Sequence, residues 1–237
     1  MFRQALLILF LSLSFCDISA QRKEMDVEKI DSVIGDPSLV ISLLDSNQVT
    51  FNSIESINWE QYPYCPDVKF RIAYTSSSIL LHFKVDEKCV RGIYAEANKP
   101  VYKDSCVEFF ISPSNDGTYY NIECNCIGYI LMCCRGGGKR EEIAPLESVE
   151  KILRWSTLGR DPFEERVEDT EWELALIIPF DSFFRHSVES MDGMEVSANF
   201  YKCGNDLKYP HYITWSPIPT ERVTFHNPQY FGKLNFK

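Results

Sequence analysis

The stretch VKFRIAYTSSSILLHFKV, Val68 to Val85, decides the fold. Val68, Phe70, Ile72 and Tyr74 fall on one side of an alternating pattern, with Lys69 and Arg71 on the other. After Ser76, Ser77 and Ser78 the rule resumes: Ile79, Leu81, Phe83 and Val85 share a face, with His82 and Lys84 opposite. Successive strand side chains point to opposite faces, so a period of two marks a half-buried strand. Two such runs separated by a short polar break predict a β-hairpin.

The same pattern recurs along the chain. Val107, Phe109 and Ile111 alternate with Cys106, Glu108 and Phe110. Ser114-Asn-Asp-Gly117 has turn composition. Tyr120, Ile122, Cys124 and Cys126 then form an inward set, with Asn121, Glu123 and Asn125 opposite. Further strands are expected over 127–134, 152–157, 172–178, 196–200, 212–215 and 231–236, and a first one over 39–44. Pro179 ends one ladder, because proline cannot donate to it. The charged stretch 139–150, broken by Pro145, reads as loop with a single helical turn, and a second short turn follows Asp181. Roughly ten strands and almost no helix predict an all-β protein, an antiparallel β-sandwich of jelly-roll type. No repeat or linker interrupts 21–237, which reads as a single domain.

Composition narrows the function classes. The 237 residues carry a formal net charge of −10. That balance argues against nucleic-acid partners, which demand clustered Lys and Arg, and no polybasic patch addresses an anionic membrane. Residues 1–20 read as a signal peptide: Arg3, a short apolar run from Ala5 to Phe15, then Ile18-Ser-Ala20. The run is too short to span a bilayer. The chain is therefore expected to be secreted or periplasmic, maturing near Gln21. A lipid anchor at Cys16 is the lesser alternative, since Phe15 is bulky for that processing site. Eight cysteines remain after Cys16. An even count in an exported chain invites disulfides, yet Cys124, Cys126 and the adjacent Cys133-Cys134 suit buried small hydrophobes as well. Their spacing matches no common zinc pattern.

Catalytic signals are sparse. Glu108 and Glu123 are strand carboxylates, a pairing that glycoside hydrolases use, but sequence gives no separation between them. There is no Gly-x-Ser-x-Gly nucleophile elbow and no Cys-x-x-Cys-His haem attachment. Gly136-Gly-Gly138 lacks the Lys-Ser/Thr and helix of a phosphate loop. Binding signals are better. Tyr102 stands in a loop just before the strand that carries Glu108. Sugars present an apolar ring face and a rim of hydroxyls that both donate and accept, so an aromatic plane with carboxylate and amide groups is a suitable partner.

The blocks KDSCVEFFISP (103–113), GTYYNIECNCIG (117–128), WELALIIPF (172–180), VSANFYK (196–202) and ITWSPI with FHNPQYFGKLNF (213–218, 225–236) occur in one order over most of 59–236. Together they resemble the family 9 carbohydrate-binding modules of the wider DOMON-like group. The resemblance implies a β-sandwich that binds a mono- or oligosaccharide without cleaving it, the ring clamped between two aromatics. It places the first aromatic at Tyr102, six residues before Glu108, and the second at Phe225 or His226, with Trp215 as an alternative. Asn121, Asn199 and Lys202 become rim candidates. Family members can hold calcium, but Ser112 stands where an aspartate is common and Lys202 where an arginine is, so calcium is unsupported rather than excluded, and no other cofactor or metal is expected. Two other classes remain open: a glycoside hydrolase or lyase using the strand carboxylates, and a haem-binding or protein-interaction module. A binding module of this kind would serve a partner enzyme, a transport protein or a sensor.

Overall fold

The computed structural model describes residues 22–237. The expected signal peptide, the alternative anchor Cys16 and the maturation point near Gln21 lie outside the described residues. The strands are β1 (Glu24–Lys29), β2 (Asn52–Ser53), β3 (Ser56–Ile57), β4 (Asp67–Tyr74), β5 (Ser78–Glu87), β6 (Val90–Gly92), β7 (Cys106–Ser112) and β8 (Thr118–Asn125). They continue with β9 (Ile130–Gly136), β10 (Lys139–Ile143), β11 (Leu153–Ser156), β12 (Phe163–Arg166), β13 (Thr170–Pro179), β14 (Glu195–Cys203), β15 (Tyr212–Thr214) and β16 (Gly232–Phe236). Two short helices, α1 (Val40–Ser46) and α2 (Leu146–Lys151), accompany them.

One curled sheet folds over itself in the order β10-β9-β8-β7-β14-β16-β1-β4-β5-β13-β11, giving the two layers of a β-sandwich. Strand β1 is the hinge between layers: Glu24–Val27 pair with β16, and Glu28 and Lys29 pair with β4. Both of these pairings are parallel, whereas the other ladders are antiparallel. The β4–β5 hairpin forms in the register that the alternation predicts, Phe70 opposite Phe83 and Ile72 opposite Leu81.

The inward sets of both layers meet in the main core. Phe70 of β4 stacks on Phe200 of β14 with centroids 3.8 Å apart, and Phe109 stacks on the same ring at 4.9 Å. Trp215 meets Phe70 and Phe200 edge-on and is 2% exposed, so it belongs to this core. Burying one such side chain contributes about 1.5–3 kcal/mol. Gly232 is required here: a Cβ at that position would collide with the Lys23 carbonyl and the Trp215 ring.

Both outer faces are also covered, which simple alternation does not anticipate. Ala73, Leu80, Ala175 and Ile177 on one outer face pack under Val40 and Leu44 of α1. On the other, Cys106, Phe110, Tyr119, Tyr201 and Cys203 pack under Trp59, Ile218, Phe225 and Phe231.

Three local expectations are corrected. Residues 39–44 are helical, not a first strand: Leu39 ends a 3-10 turn and Val40–Ser46 is α1. The Asp36 carboxylate accepts from the Ser38 backbone N–H and Pro37 opens the turn, which starts a helix, and the Val40/Leu44 spacing is helical. The charged stretch after the glycines is not loop: Lys139–Ile143 is strand β10, and Leu146–Lys151 is a helix begun after Pro145. The polar N-terminal stretch supplies β1, whose Val27 is fully buried.

Candidate functional site

The outer face of the layer that holds β7, β8, β9 and β14 makes the floor of a cavity of about 310 Å³. Register alone assembles that floor. Tyr201 of β14 lies opposite Glu108 of β7, Glu108 opposite Glu123 of β8, and Glu123 opposite Leu131 of β9. One row further along, Cys203 lies opposite Cys106. Because side chains alternate, Leu131 and Arg135 of β9 rise from the same face as Glu123. The walls come from loops: Tyr102, Asn205 and Tyr212 on one side, and Val223, Thr224, Phe225 and His226.

Each wall is anchored. Tyr102 sits in a single helical turn, Val101–Lys103, that ends at the fully buried Asp104. The Asp104 carboxylate accepts from the backbone N–H groups of Ile93 and Tyr94, at 3.0 and 2.9 Å, and from Asn125 Nδ2, at 2.9 Å. Arg91 Nε lies 3.3 Å from its other oxygen. The Tyr102 carbonyl accepts from the Asn205 backbone N–H at 3.2 Å, tying two lining residues together. Phe225 stacks on Tyr201 at 4.3 Å and tilts against Trp59. His226 stacks on Phe110 at 5.1 Å, with Nδ1 3.2 Å from the Tyr119 hydroxyl.

The floor is unusually acidic for a buried surface. Glu108 is 3% exposed and Glu123 4%. Burial, the Cys203 thiol and the Glu123 carboxylate hold the Glu108 carboxyl well above the usual range. Burial pushes Glu123 up to about 7 against the opposing pull of Asn121 and Arg135. Asn121 Nδ2 donates to Glu123 Oε1 at 2.8 Å, and Arg135 Nε donates to Asn121 Oδ1 at 3.1 Å. Arg135 also forms an ion pair with Glu141. Two buried oxygens on lining residues, Glu123 Oε2 and Asn205 Oδ1, have no partner among the described residues. Leaving such a group unpaired costs about 1–3 kcal/mol, so these atoms retain unspent hydrogen-bonding capacity.

The model described as carbohydrate-binding family 9 matches residues 38–236. The chain belongs to carbohydrate-binding family 9. A Bacteroides uniformis ATCC 8492 structure, described as a "putative carbohydrate-binding protein", is 45% identical. The match covers 92% of this chain and 100% of that one, with a TM-score of 0.90. A family 9 module from Caldicellulosiruptor kristjanssonii in complex with glucose is 15% identical over 91% of this chain and 96% of that one, with a TM-score of 0.54. Its complex with cellotriose matches at 16% identity over 91% and 94%, with a TM-score of 0.56. At those identities the two modules share the fold. No curated protein matches the chain.

Four of the residues expected at the site, Tyr102, Glu108, Phe225 and His226, line this one cavity. Asn121 lies directly beneath it, bonded to Glu123 and Arg135. Three lie elsewhere. Trp215 is in the main core, pointing away from the cavity face. Asn199 is fully buried and clamps the Ser216 backbone, accepting from its N–H at 2.8 Å and donating to its carbonyl at 3.0 Å. Lys202 alternates with Tyr201 and Cys203, so it points into the sandwich interior and pairs with Glu87 at 2.8 Å. Glu123, which reads from sequence as a polar-face carboxylate, joins the floor; Arg135, Cys203, Asn205 and Tyr212 join the lining without being singled out beforehand. The alternation puts Arg135 and Cys203 on the right face of their strands, but only the register brings those faces together.

Among the described residues no helix is long and apolar enough to cross a membrane. The eight described cysteines are free thiols, and Cys65 alone among them is exposed.

Proposed function

We propose that the cavity binds a mono- or short oligosaccharide and does not cleave it. The observation that carries this reading is the pairing of two kinds of surface in one hollow. Half-buried Tyr102, buried Phe225 and exposed His226 supply ring area, Glu123 and Asn205 supply buried oxygens in need of partners, and Glu108 adds a buried carboxyl. Pyranose C–H faces pack against rings, and hydroxyls satisfy both donors and acceptors. A carboxyl accepts at its oxygens and, when it carries its proton, also donates, so Glu108, whose burial favours the neutral form, suits a hydroxyl in either sense. About 310 Å³ is at the small end of ligand pockets, which suits one or two sugar rings. Family membership and the glucose and cellotriose held by the Caldicellulosiruptor modules support the same ligand class.

The placement of the acids favours holding over hydrolysis. Glycoside hydrolases flank the scissile bond with their two carboxyl groups. Glu108 and Glu123 are direct cross-strand neighbours on one floor, so both address the same side of a ligand. The signal-like residues 1–20 point to a role outside the cytoplasm.

Isothermal titration with glucose, cellobiose, cellotriose and a panel of other mono- and oligosaccharides tests the proposal. The expected affinity is micromolar to millimolar, about −4 to −8 kcal/mol. Tyr102→Ala is expected to weaken binding by about tenfold or more. Absence of heat at millimolar sugar, or a Tyr102→Ala variant that binds like the parent, overturns it.

A further inference from the structure

The cavity floor holds a second arrangement, in which Glu108 is joined by two thiols that sugar recognition leaves unused. Cys106 and Cys203 are cross-strand partners on β7 and β14, one row from Glu108. Their two Sγ atoms and a Glu108 carboxylate oxygen all lie within 4.8 Å of one another. Cys203 Sγ is 3.1 Å from Glu108 Oε1 and 3.5 Å from the Tyr102 carbonyl oxygen. Cys203 and Glu108 line the cavity, and Cys106 is fully buried behind them. The route from solvent to this trio is therefore the cavity itself.

We propose that Cys106, Cys203 and Glu108 form a binding site for a thiophilic divalent cation of the Zn²⁺ type, with its fourth position turned toward the cavity. Tetrahedral zinc stands about 2.3 Å from sulfur and about 2.0–2.2 Å from a carboxylate oxygen. Ligand atoms on such an ion are mutually about 3.3–3.8 Å apart, by simple tetrahedral geometry on those bond lengths. The trio is within about 1 Å of that spacing. Two thiolates and one carboxylate leave one position for water or a ligand hydroxyl, the pattern of an open zinc site. Coordination forms two Zn–S bonds and one Zn–O bond; the two S–H protons, and the carboxyl proton where Glu108 carries one, pass to solvent.

Plain packing of small thiols is the competing account, and it fits Cys124 and Cys126, which sit in the main apolar core. It fits the trio less well. Here two sulfurs border a buried carboxylate on a ligand cavity, beside Glu123 Oε2, a buried oxygen without a partner among the described residues. Once their protons are lost, two thiolates and a carboxylate beside a further carboxylate form a setting that a divalent cation balances.

Titration of the reduced, metal-free protein with Co²⁺ under anaerobic conditions, followed by Zn²⁺ displacement, provides the test, and no sugar is needed. One equivalent of Co²⁺ is expected to give thiolate charge-transfer and tetrahedral d–d absorption, bleached by Zn²⁺ with micromolar or tighter affinity. Cys203→Ser and Cys106→Ser should each weaken binding at least tenfold, while Cys124→Ser, checked for folding by circular dichroism like the others, should not. A lack of thiolate absorption in the parent, its persistence in the Cys106→Ser/Cys203→Ser double variant, or a Cys106–Cys203 disulfide in protein isolated without reductant overturns the proposal.

Discussion

Strand β14 carries two buried polar clusters on its opposite faces, and they are built differently. On the interior face Lys202 forms an ion pair with Glu87 Oε2 at 2.8 Å and donates to His211 Nε2 at 2.7 Å and the Cys203 carbonyl at 3.0 Å. Glu87 Oε1 accepts from Trp172 Nε1 at 2.7 Å, and His211 Nδ1 donates to the Tyr209 carbonyl at 2.9 Å. Two of the ammonium's protons serve these hydrogen bonds, and its charge balances Glu87, whose Oε2 accepts no hydrogen bond among the described residues. On the other face Tyr201 and Cys203 border the cavity, where Glu123 and Asn205 keep oxygens without partners among the described residues. The first cluster is closed to solvent and joins β5 of one layer to β14 of the other. The second is open and has capacity left for a ligand. A buried charge alone does not separate a structural network from a site, but unspent hydrogen-bonding capacity beside a cavity does.

The largest expected effect tests the closed cluster. Lys202→Met leaves Glu87 buried beside His211 without its cation. Removing one partner of a buried pair costs about 3–5 kcal/mol, because the remaining charge is uncompensated. Urea denaturation should show that loss, with sugar affinity of the folded protein little changed. If stability held and sugar binding fell instead, the two clusters would have exchanged roles.

Closed polar networks in this protein also keep their histidines neutral, which sets an acid limb of stability. His82 accepts from Arg71 Nε at 3.0 Å and, through Nε2, meets Glu173 at 3.0 Å. Burial first, then Arg71, lowers its pKa to about 4. Burial and Lys202 lower His211 well below the ordinary value. The unfolded value is about 6.5. Between about 4 and 6.5 the unfolded chain binds more protons, so stability rises with pH across that window. The contribution is fully present above pH 6.5 and is lost as pH falls toward 4. For His82 alone it is on the order of 2–3 kcal/mol. Urea midpoints at pH 7 and pH 4.5 should differ less in His82→Gln than in the parent, and an unchanged difference would remove His82 from the account.

The open cluster should respond in the opposite sense to truncation of its charge. Glu108→Gln keeps the shape of the floor and removes a carboxyl whose burial is unfavourable. Sites held for function are commonly stabilised when such groups are neutralised. Sugar affinity should fall about tenfold or more, about 1.4 kcal/mol, with the denaturation midpoint equal to or above the parent's. A variant that lost stability and kept affinity would place Glu108 among the structural groups.

What sequence could reveal follows from which physical rule each feature obeys. The strands were legible because alternation is local: the hairpin of β4 and β5 and the inward sets of β7, β8, β13 and β14 stand where the pattern puts them. Residues 39–44 were misread because a six-residue apolar run fits a strand or a helix; Asp36-Pro37 was the signal that separates them. Parallel pairing of β1 across both layers is a long-range arrangement with no local signature. Of the residues that line the cavity, Tyr102, Glu108, Phe225 and His226 were named through the family resemblance. Lys202 was assigned to the rim although its neighbours Tyr201 and Cys203 face the cavity, and the period of two, applied from Phe200, already sends it inward with Val107. Arg135 and Asn205 depend on register and loop closure, which sequence alone does not supply.

The finest distinction lies within one dipeptide of the cavity wall. Phe225 is 8% exposed, with one face on Tyr201 and its edges against Trp59 and Tyr212, so most of its area already serves the packing beneath the loop. His226 is exposed beyond its contact with Phe110, and its ring is the part of the wall that a ligand can still cover. Truncating a residue that is mainly packing lowers stability first, whereas truncating one that is mainly rim lowers affinity first. His226→Ala should therefore reduce sugar affinity by about threefold, about 0.6 kcal/mol, and shift the denaturation midpoint by less than about 0.5 kcal/mol, the usual range for surface changes. The reverse ranking, with His226→Ala destabilising and sugar titrations unchanged, would make this imidazole a strut between Phe110 and Tyr119 and leave Tyr102 as the principal ring available to a sugar.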